Sequence, residues 1–204
     1  MKYIVLVGDG MGDRPIEDLG GKTVLEAAKI PNMNFIAENG KVGLTNMIPA
    51  RMAPASDVAN LSILGYNPKK YYTGRGPLEA VNMGVDLQDN EVAFRCNLVT
   101  ISDDKMADYS AGHISNEEAK SIIEELNFKL GTEDIKFYPG ISYRHLVVFK
   151  CKDKEEQENL VKTKCVPPHD ISGKTIYRFL PARTPHAQIL KRLMDESIKI
   201  LSDH

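Results

Sequence analysis

The chain reads as an α/β protein whose opening residues build a parallel sheet and whose middle is a separate α+β unit. Three observations predict this. Residues 3–7, "YIVLV", are an unbroken apolar run, the pattern of a strand covered on both faces. A helical stretch and a second apolar run follow, so strand, helix and strand come in the order of a βαβ unit. From about residue 75 the texture changes to long apolar strands and one capped helix.

The elements follow in order. The first strand ends abruptly at "GDGMGD". Thr23 with Glu26 three residues on is a capping box ahead of "VLEAAK". Pro31 stops that short helix, and "NMNFIAENG" gives another that ends at Gly40. "KVGLTNMI", residues 41–48, reads as the second strand. "NEVAFRCNLVTI" is a further strand of about ten residues. Ser115 with Glu118 caps a helix through Leu130, with Ile122, Ile123, Leu126 and Leu130 on one face and Gly131 closing it. "IKFYPGISYRHLVVFK" reads as two strands turning at Pro139–Gly140. "KDKEEQENLVKTK" is a solvated helix or loop. Thr184 caps a last helix, Pro185 suits its first position, and Leu190, Leu193, Met194, Ser197 and Leu201 form its stripe.

Composition narrows the function classes. A chain of 204 residues can bury one or two cores. Its 26 basic and 28 acidic residues leave a net charge of −2, which gives no reason to expect nucleic acid or an anionic membrane as partner. No apolar run is long enough to span a bilayer. The five apolar residues after Lys2 are too few for a signal peptide, and no small-residue cleavage site follows. Cys96, Cys151 and Cys165 are odd in number and lack C-x-x-C spacing, so a disulfide framework is disfavoured and a reducing cytoplasm fits.

Several residues could carry chemistry. Asp9 sits between two glycines just beyond the first apolar run, where open α/β sheets bind ligands. A carboxylate there suits a divalent cation; the plainer role is a turn aspartate bonding its own backbone. Ser56, followed by Asp57, stands at the join between a Pro-rich loop and a helical run. It could be a helix N-cap, with Asp57 favouring the helix dipole. On pattern alone the cap is the favoured reading; the other is a nucleophile, which needs an activator such as a metal to lower its hydroxyl's pKa, with the helix N-terminus favouring an incoming phosphate. G-x-S-x-G is absent, which excludes an α/β-hydrolase elbow. "YYTGRGPLEA" fails the dinucleotide pattern, since its third glycine is Glu79; it reads as a rigid turn with Arg75 as an anion contact. No Walker loop is present, so no nucleotide is expected. Arg95, Arg144, His113, His145, His169 and Asp170 fall within one small unit. Each alone could be structural, but arginine binds phosphate and carboxylate in a fork and histidine shuttles protons near neutrality.

"VGDGMGDRP", "TVLEAA" with "PNM", "SDVANLSILGY", "YYTGRGPLEA", "FRCNLVT", "DYSAGHIS" and "PPHDISGK" occur in this order. Together they closely resemble the archaeal-type cofactor-independent phosphoglycerate mutases, a branch of the alkaline phosphatase superfamily, over essentially the whole chain. The resemblance implies part of a doubly wound, alkaline-phosphatase-like sheet with an inserted α+β substrate domain. Residues 1–75 would be the first part of the metal and nucleophile core, 76–180 the insertion, and 181–204 a helix returning to the core. It implies that Ser56 is phosphorylated and touches metal, that Asp9 is a metal ligand, and that Asn60 contacts the phosphoryl group. His113 matches a substrate-binding histidine, with Arg95, Arg144, His145, His169 and Asp170 as weaker substrate contacts. The implied reaction interconverts 3-phosphoglycerate and 2-phosphoglycerate in glycolysis and gluconeogenesis. It uses two Mn²⁺ or Mg²⁺ ions per complete site and needs neither 2,3-bisphosphoglycerate nor a nucleotide. Alternatives on the same residues are a metal-dependent phosphatase or phosphotransferase, or a non-catalytic phospho-ligand-binding fragment. Family members are roughly double this length. The remaining C-terminal half would supply most metal ligands, and the 204-residue chain by itself is expected to be inactive.

Overall fold

The computed structural model describes residues 1–8, 10–181 and 184–202. The chain forms two compact units, Met1–Ala53 and Pro54–His204.

In the first unit, α1 (Val24–Ala27) starts from the expected capping box. The Thr23 side chain accepts from the Glu26 amide, and the Glu26 carboxylate accepts from the Thr23 amide at 2.7 Å. The Thr23 amide and hydroxyl both donate to the Glu26 carboxylate and hold the carboxyl below its ordinary range. Helix α2 (Pro31–Asn39) begins on Pro31 and ends before Gly40. The two expected strands are absent: residues 3–7 and 41–48 have no ladder, and Ile4, Leu6, Val42 and Leu44 are exposed. The reason is physical. An apolar run becomes a strand only when a neighbour takes its N–H and C=O groups. Among the described residues no such neighbour reaches these runs.

The second unit opens with three helices, α3 (Ser56–Ile63), α4 (Pro68–Tyr71) and α5 (Arg75–Asn82). It continues with β1 (Glu91–Asn97), β2 (Thr100–Ser102), β3 (Lys105–Asp108), α6 (Asn116–Leu130), β4 (Ile135–Ile141), β5 (Arg144–Lys150), α7 (Lys154–Val161) and α8 (Pro185–Leu201). Its main sheet is antiparallel in the order β1-β5-β4, and β2 pairs with β3. β5 is central and buried from His145 to Phe149. One sheet face carries Val92, Phe137, Val147 and Phe149 against Ile123 and Leu126 of α6 and Leu190 and Leu193 of α8. The opposite face packs Ala93, Leu146 and Val148 on Ala80 of α5. Each fully buried aliphatic or phenyl side chain of this core contributes about 1.5–3 kcal/mol.

Two local features bear on function. The β4–β5 turn falls at Ser142–Tyr143 and not at Pro139–Gly140, which instead form an irregularity within β4. β4 is an edge strand, where a proline without an N–H is tolerated. Gly140 is needed there, because a Cβ would lie 2.2 Å from the Arg144 carbonyl oxygen. The segment after α7 returns to β3. Met106, Ile171 and Ile176 form a small core, and Met106 exchanges backbone hydrogen bonds with Gly173 and Lys174. This anchors the "PPHDISGK" loop. The charged stretch near residue 155 is a helix, α7, capped by Asp153. No helix of the described residues is long and apolar enough to cross a membrane.

Candidate active site

Ser56 is the first residue of α3, with Ala55 as the N-cap, and its side chain makes no capping hydrogen bond. The expected cap is therefore displaced by one residue, and the hydroxyl stands exposed at the helix N-terminus. Its neighbour Asp57 is tied down. One carboxylate oxygen accepts from the Val58 amide at 3.0 Å, and the other accepts from the Tyr72 hydroxyl at 2.6 Å. The Arg75 Nε lies 3.7 Å from the same oxygen. Burial, then the bond to Asp57, pushes the Tyr72 phenol up to about 12. Asp57 thus links the first turn of α3 to the start of α5.

The start of α5 is set by two glycines. Gly74, the N-cap, has a φ of 109°, a conformation that disfavours side chains. At Gly76 a Cβ would sit 2.0 Å from the Ala93 carbonyl oxygen, so only glycine lets α5 lie this close to β1. That approach brings Arg75 into the neighbourhood of Arg95. The β1–β5 register sets Arg95 opposite Leu146 and Asn97 opposite Arg144, so Arg95 and Arg144 share the face that α5 covers. Glu79 lies 3.9 Å from the Arg95 Nε, which is buried and has no hydrogen-bond partner. Burial first, then repulsion from Arg75, pushes the Arg95 guanidinium below its ordinary value; Glu79 opposes this and Arg144 adds to it. Three guanidiniums facing so few carboxylates form a place where a bound anion would relieve repulsion.

His113 lies on an exposed loop between β3 and α6. It borders an open depression of about 700 Å³ lined also by Ser115, Glu118 and Ser121. That loop is fastened to the β4–β5 turn, where Ser142 donates its amide to the Asn116 side chain and its hydroxyl to the Ile114 carbonyl. Arg144 lies over the Tyr143 ring, Tyr143 meets Tyr109 edge-on, and Tyr109 meets His169 edge-on. His169 in turn is 3.4 Å from Asp170. His145 is fully buried, accepts the Gly140 amide on Nδ1, and leaves Nε2 without a partner. Burial pushes its imidazole down to about 4.

Of the residues singled out from the sequence, Arg95 and Arg144 share one face with Arg75. His113 sits on a loop bonded to the β4–β5 turn, and His169 sits on the loop anchored to β3, meeting Tyr109, which in turn meets Tyr143. Ser56 and Asn60 lie exposed on α3, and Asp9 lies outside the described residues. No group of three or more His, Cys, Asp or Glu side chains comes together as a metal site among the described residues. Sequence reasoning missed Tyr72, Glu79 and Asp108 as supports. Tyr72 and Glu79 belong to "YYTGRGPLEA", whose glycine spacing was the available signal.

Comparison with known proteins identifies the family. Residues 37–204 match the family model described as 2,3-bisphosphoglycerate-independent phosphoglycerate mutase. The chain is 53% identical, over its whole length, to the Methanosarcina barkeri enzyme of that name, and covers 50% of that protein. A solved Pyrococcus horikoshii protein is 35% identical with a TM-score of 0.56, matching 69% of this chain and 35% of its own. A solved cofactor-independent phosphoglycerate mutase from Thermoplasma acidophilum is 28% identical with a TM-score of 0.50, matching 96% of this chain and 50% of its own. The chain spans about half the length of the curated relatives it matches. With Ser56 uncapped at the start of α3 and the seven ordered motifs intact, the chain belongs to the 2,3-bisphosphoglycerate-independent phosphoglycerate mutase family.

Proposed function

We propose that the protein carrying this chain interconverts 3-phosphoglycerate and 2-phosphoglycerate through a phosphoserine at Ser56. The observation that carries this is an exposed, uncapped serine at a helix N-terminus, joined through Asp57 to the start of α5, where three arginines gather. Backbone N–H groups at the start of α3 favour a phosphoryl group beside Ser56. Ser56 Oγ forms the new P–O bond, the bond from phosphorus to the substrate's C3 oxygen breaks, and that oxygen takes a proton. Glycerate reorients, and its C2 oxygen then takes the phosphoryl group back as the serine hydroxyl is restored. Arg95 and Arg144, with Arg75, hold substrate anions. Asn60, His113, His169 and Asp170 complete the substrate contacts in this proposal; His145, expected among them, is fully buried and instead accepts the Gly140 amide. Residues 76–180 act as the inserted substrate domain between 1–75 and 181–204, on an alkaline-phosphatase-like core. Its closure excludes water, which protects the phosphoserine from hydrolysis.

The described residues do not by themselves fit a divalent ion, since an ion takes about four to six ligands. Ser56, with Asp9, would supply two of them. The rest come, in this proposal, from a C-terminal half like that of the relatives. Two Mn²⁺ or Mg²⁺ ions would lower the Ser56 hydroxyl's pKa and neutralise phosphate charge. No 2,3-bisphosphoglycerate or nucleotide takes part, and the protein works in the cytoplasm.

The test is turnover of 3-phosphoglycerate with Mn²⁺ by the product of the full reading frame, by its Ser56→Ala variant, and by residues 1–204 alone. The expected product is 2-phosphoglycerate from the first only. Release of free phosphate in its place would point to a phosphatase, and unchanged turnover by Ser56→Ala would remove the nucleophile.

A further inference from the structure

We propose that Asp108 is a positioning residue that holds His113 in its working conformation. This inference rests on the mutase reading, in which His113 contacts phosphoglycerate. Ala111, Gly112 and His113 have φ values of 49°, 67° and 55°, three consecutive residues in the left-handed region. Only the middle one is glycine, so the loop is strained at both flanking residues. Strain of this kind persists only where surrounding bonds impose it. Asp108 supplies those bonds. One of its carboxylate oxygens accepts from the Ser110 amide at 2.8 Å and from the Ser110 hydroxyl at 2.7 Å. The other accepts from the Gly112 amide at 2.7 Å. Ser110 is buried, so its hydroxyl depends on Asp108 for a partner. The Asp108 backbone pairs with Thr100 at the end of the β2–β3 ladder.

From the far side, Ser142 grips Ile114 and Asn116 through 2.9 Å and 2.7 Å bonds. His113 is therefore spanned by two sets of hydrogen bonds, one from β3 and one from the hairpin that carries Arg144. His113 itself makes a backbone bond to the Ser110 carbonyl, and it lines the open depression beside Ser115 and Glu118. A flexible substrate-contacting histidine would have to be ordered at each binding event, which weakens affinity. A clamp on the backbone just before this residue removes that cost without touching the ligand.

The experiment is a double-mutant cycle on 3-phosphoglycerate affinity, measured by calorimetry on the product of the full reading frame. The four proteins are the parent, Asp108→Asn, His113→Ala and the double variant. The carboxamide of Asp108→Asn keeps one acceptor oxygen for Ser110 and loses the one that faces Gly112. Asp108→Asn is expected to weaken binding about five- to tenfold, the scale of one or two lost hydrogen bonds. In the His113→Ala background the same change is expected to have no further effect, since Asp108 acts through that ring. Equal losses in both backgrounds would overturn the proposal and leave Asp108 a general support of the fold. Parent-like affinity of Asp108→Asn beside a weakened His113→Ala would overturn it too. Parent-like affinity of His113→Ala would instead remove His113 from the substrate site.

Discussion

His145 is a base held neutral by burial. Its imidazole titrates near 4 in the folded protein and near 6.5 in the unfolded chain. Between those values the unfolded chain binds more protons, so acidification favours unfolding. Stability from this residue is complete above pH 6.5 and declines as pH falls toward 4, by at most about 1.4 kcal/mol per pH unit. His145→Asn removes the titration while offering an acceptor to the Gly140 amide. Its urea midpoint is expected to fall less than the parent's between about pH 7 and pH 5. Parallel curves would mean that His145 is solvated. A second residue-scale prediction concerns Tyr72, whose phenol lies up near 12. Asp57→Asn is expected to bring it down part of the way, since burial, the larger cause, remains, and the change is read as the tyrosine absorbance titration lost in Tyr72→Phe.

At the scale of elements, α5 is held to β1 by the absence of one methyl group. Gly76→Ala would press a Cβ onto the Ala93 carbonyl, and backbone cannot swing aside as a side chain does. A cost of about 1–3 kcal/mol is expected in chemical denaturation. The strain also parts Arg75 from Arg95, so phosphoglycerate affinity should fall with stability. Helix α8 makes the contrasting case. Leu193 is buried against the α6 side of the sheet, and Leu193→Ala is expected to cost about 2–5 kcal/mol through the cavity it leaves. It leaves the arginine face untouched, so binding at a temperature where the variant is folded should match the parent. The elements themselves were largely legible. The caps at Thr23, Ser115 and Thr184 are where the sequence pattern put them, because a cap is a contact between residues three apart. The turn expected at Pro139–Gly140 lies elsewhere because turn propensity is local, whereas the hairpin's register is set by β5 packing its buried side chains.

For the whole molecule, the first unit exposes apolar runs that the second does not. Residues 3–7 and 41–48 carry strand patterns without strand partners among the described residues. Amides in these runs are expected to exchange with solvent within seconds in residues 1–204. In the product of the full reading frame they should be protected by orders of magnitude. Fast exchange in both would mean that no sheet forms around them. The sequence determined the family, the capped helices and the identities of the chemical groups, because each is written in near-neighbour residues and their spacing. Only the tertiary structure decided that Ser56 starts α3 without capping it, that Arg75 and Arg144 both repel Arg95, and that His145 is buried. These depend on which side of a strand a residue takes and on how closely two backbones approach, and both are settled by contacts between distant parts of the chain.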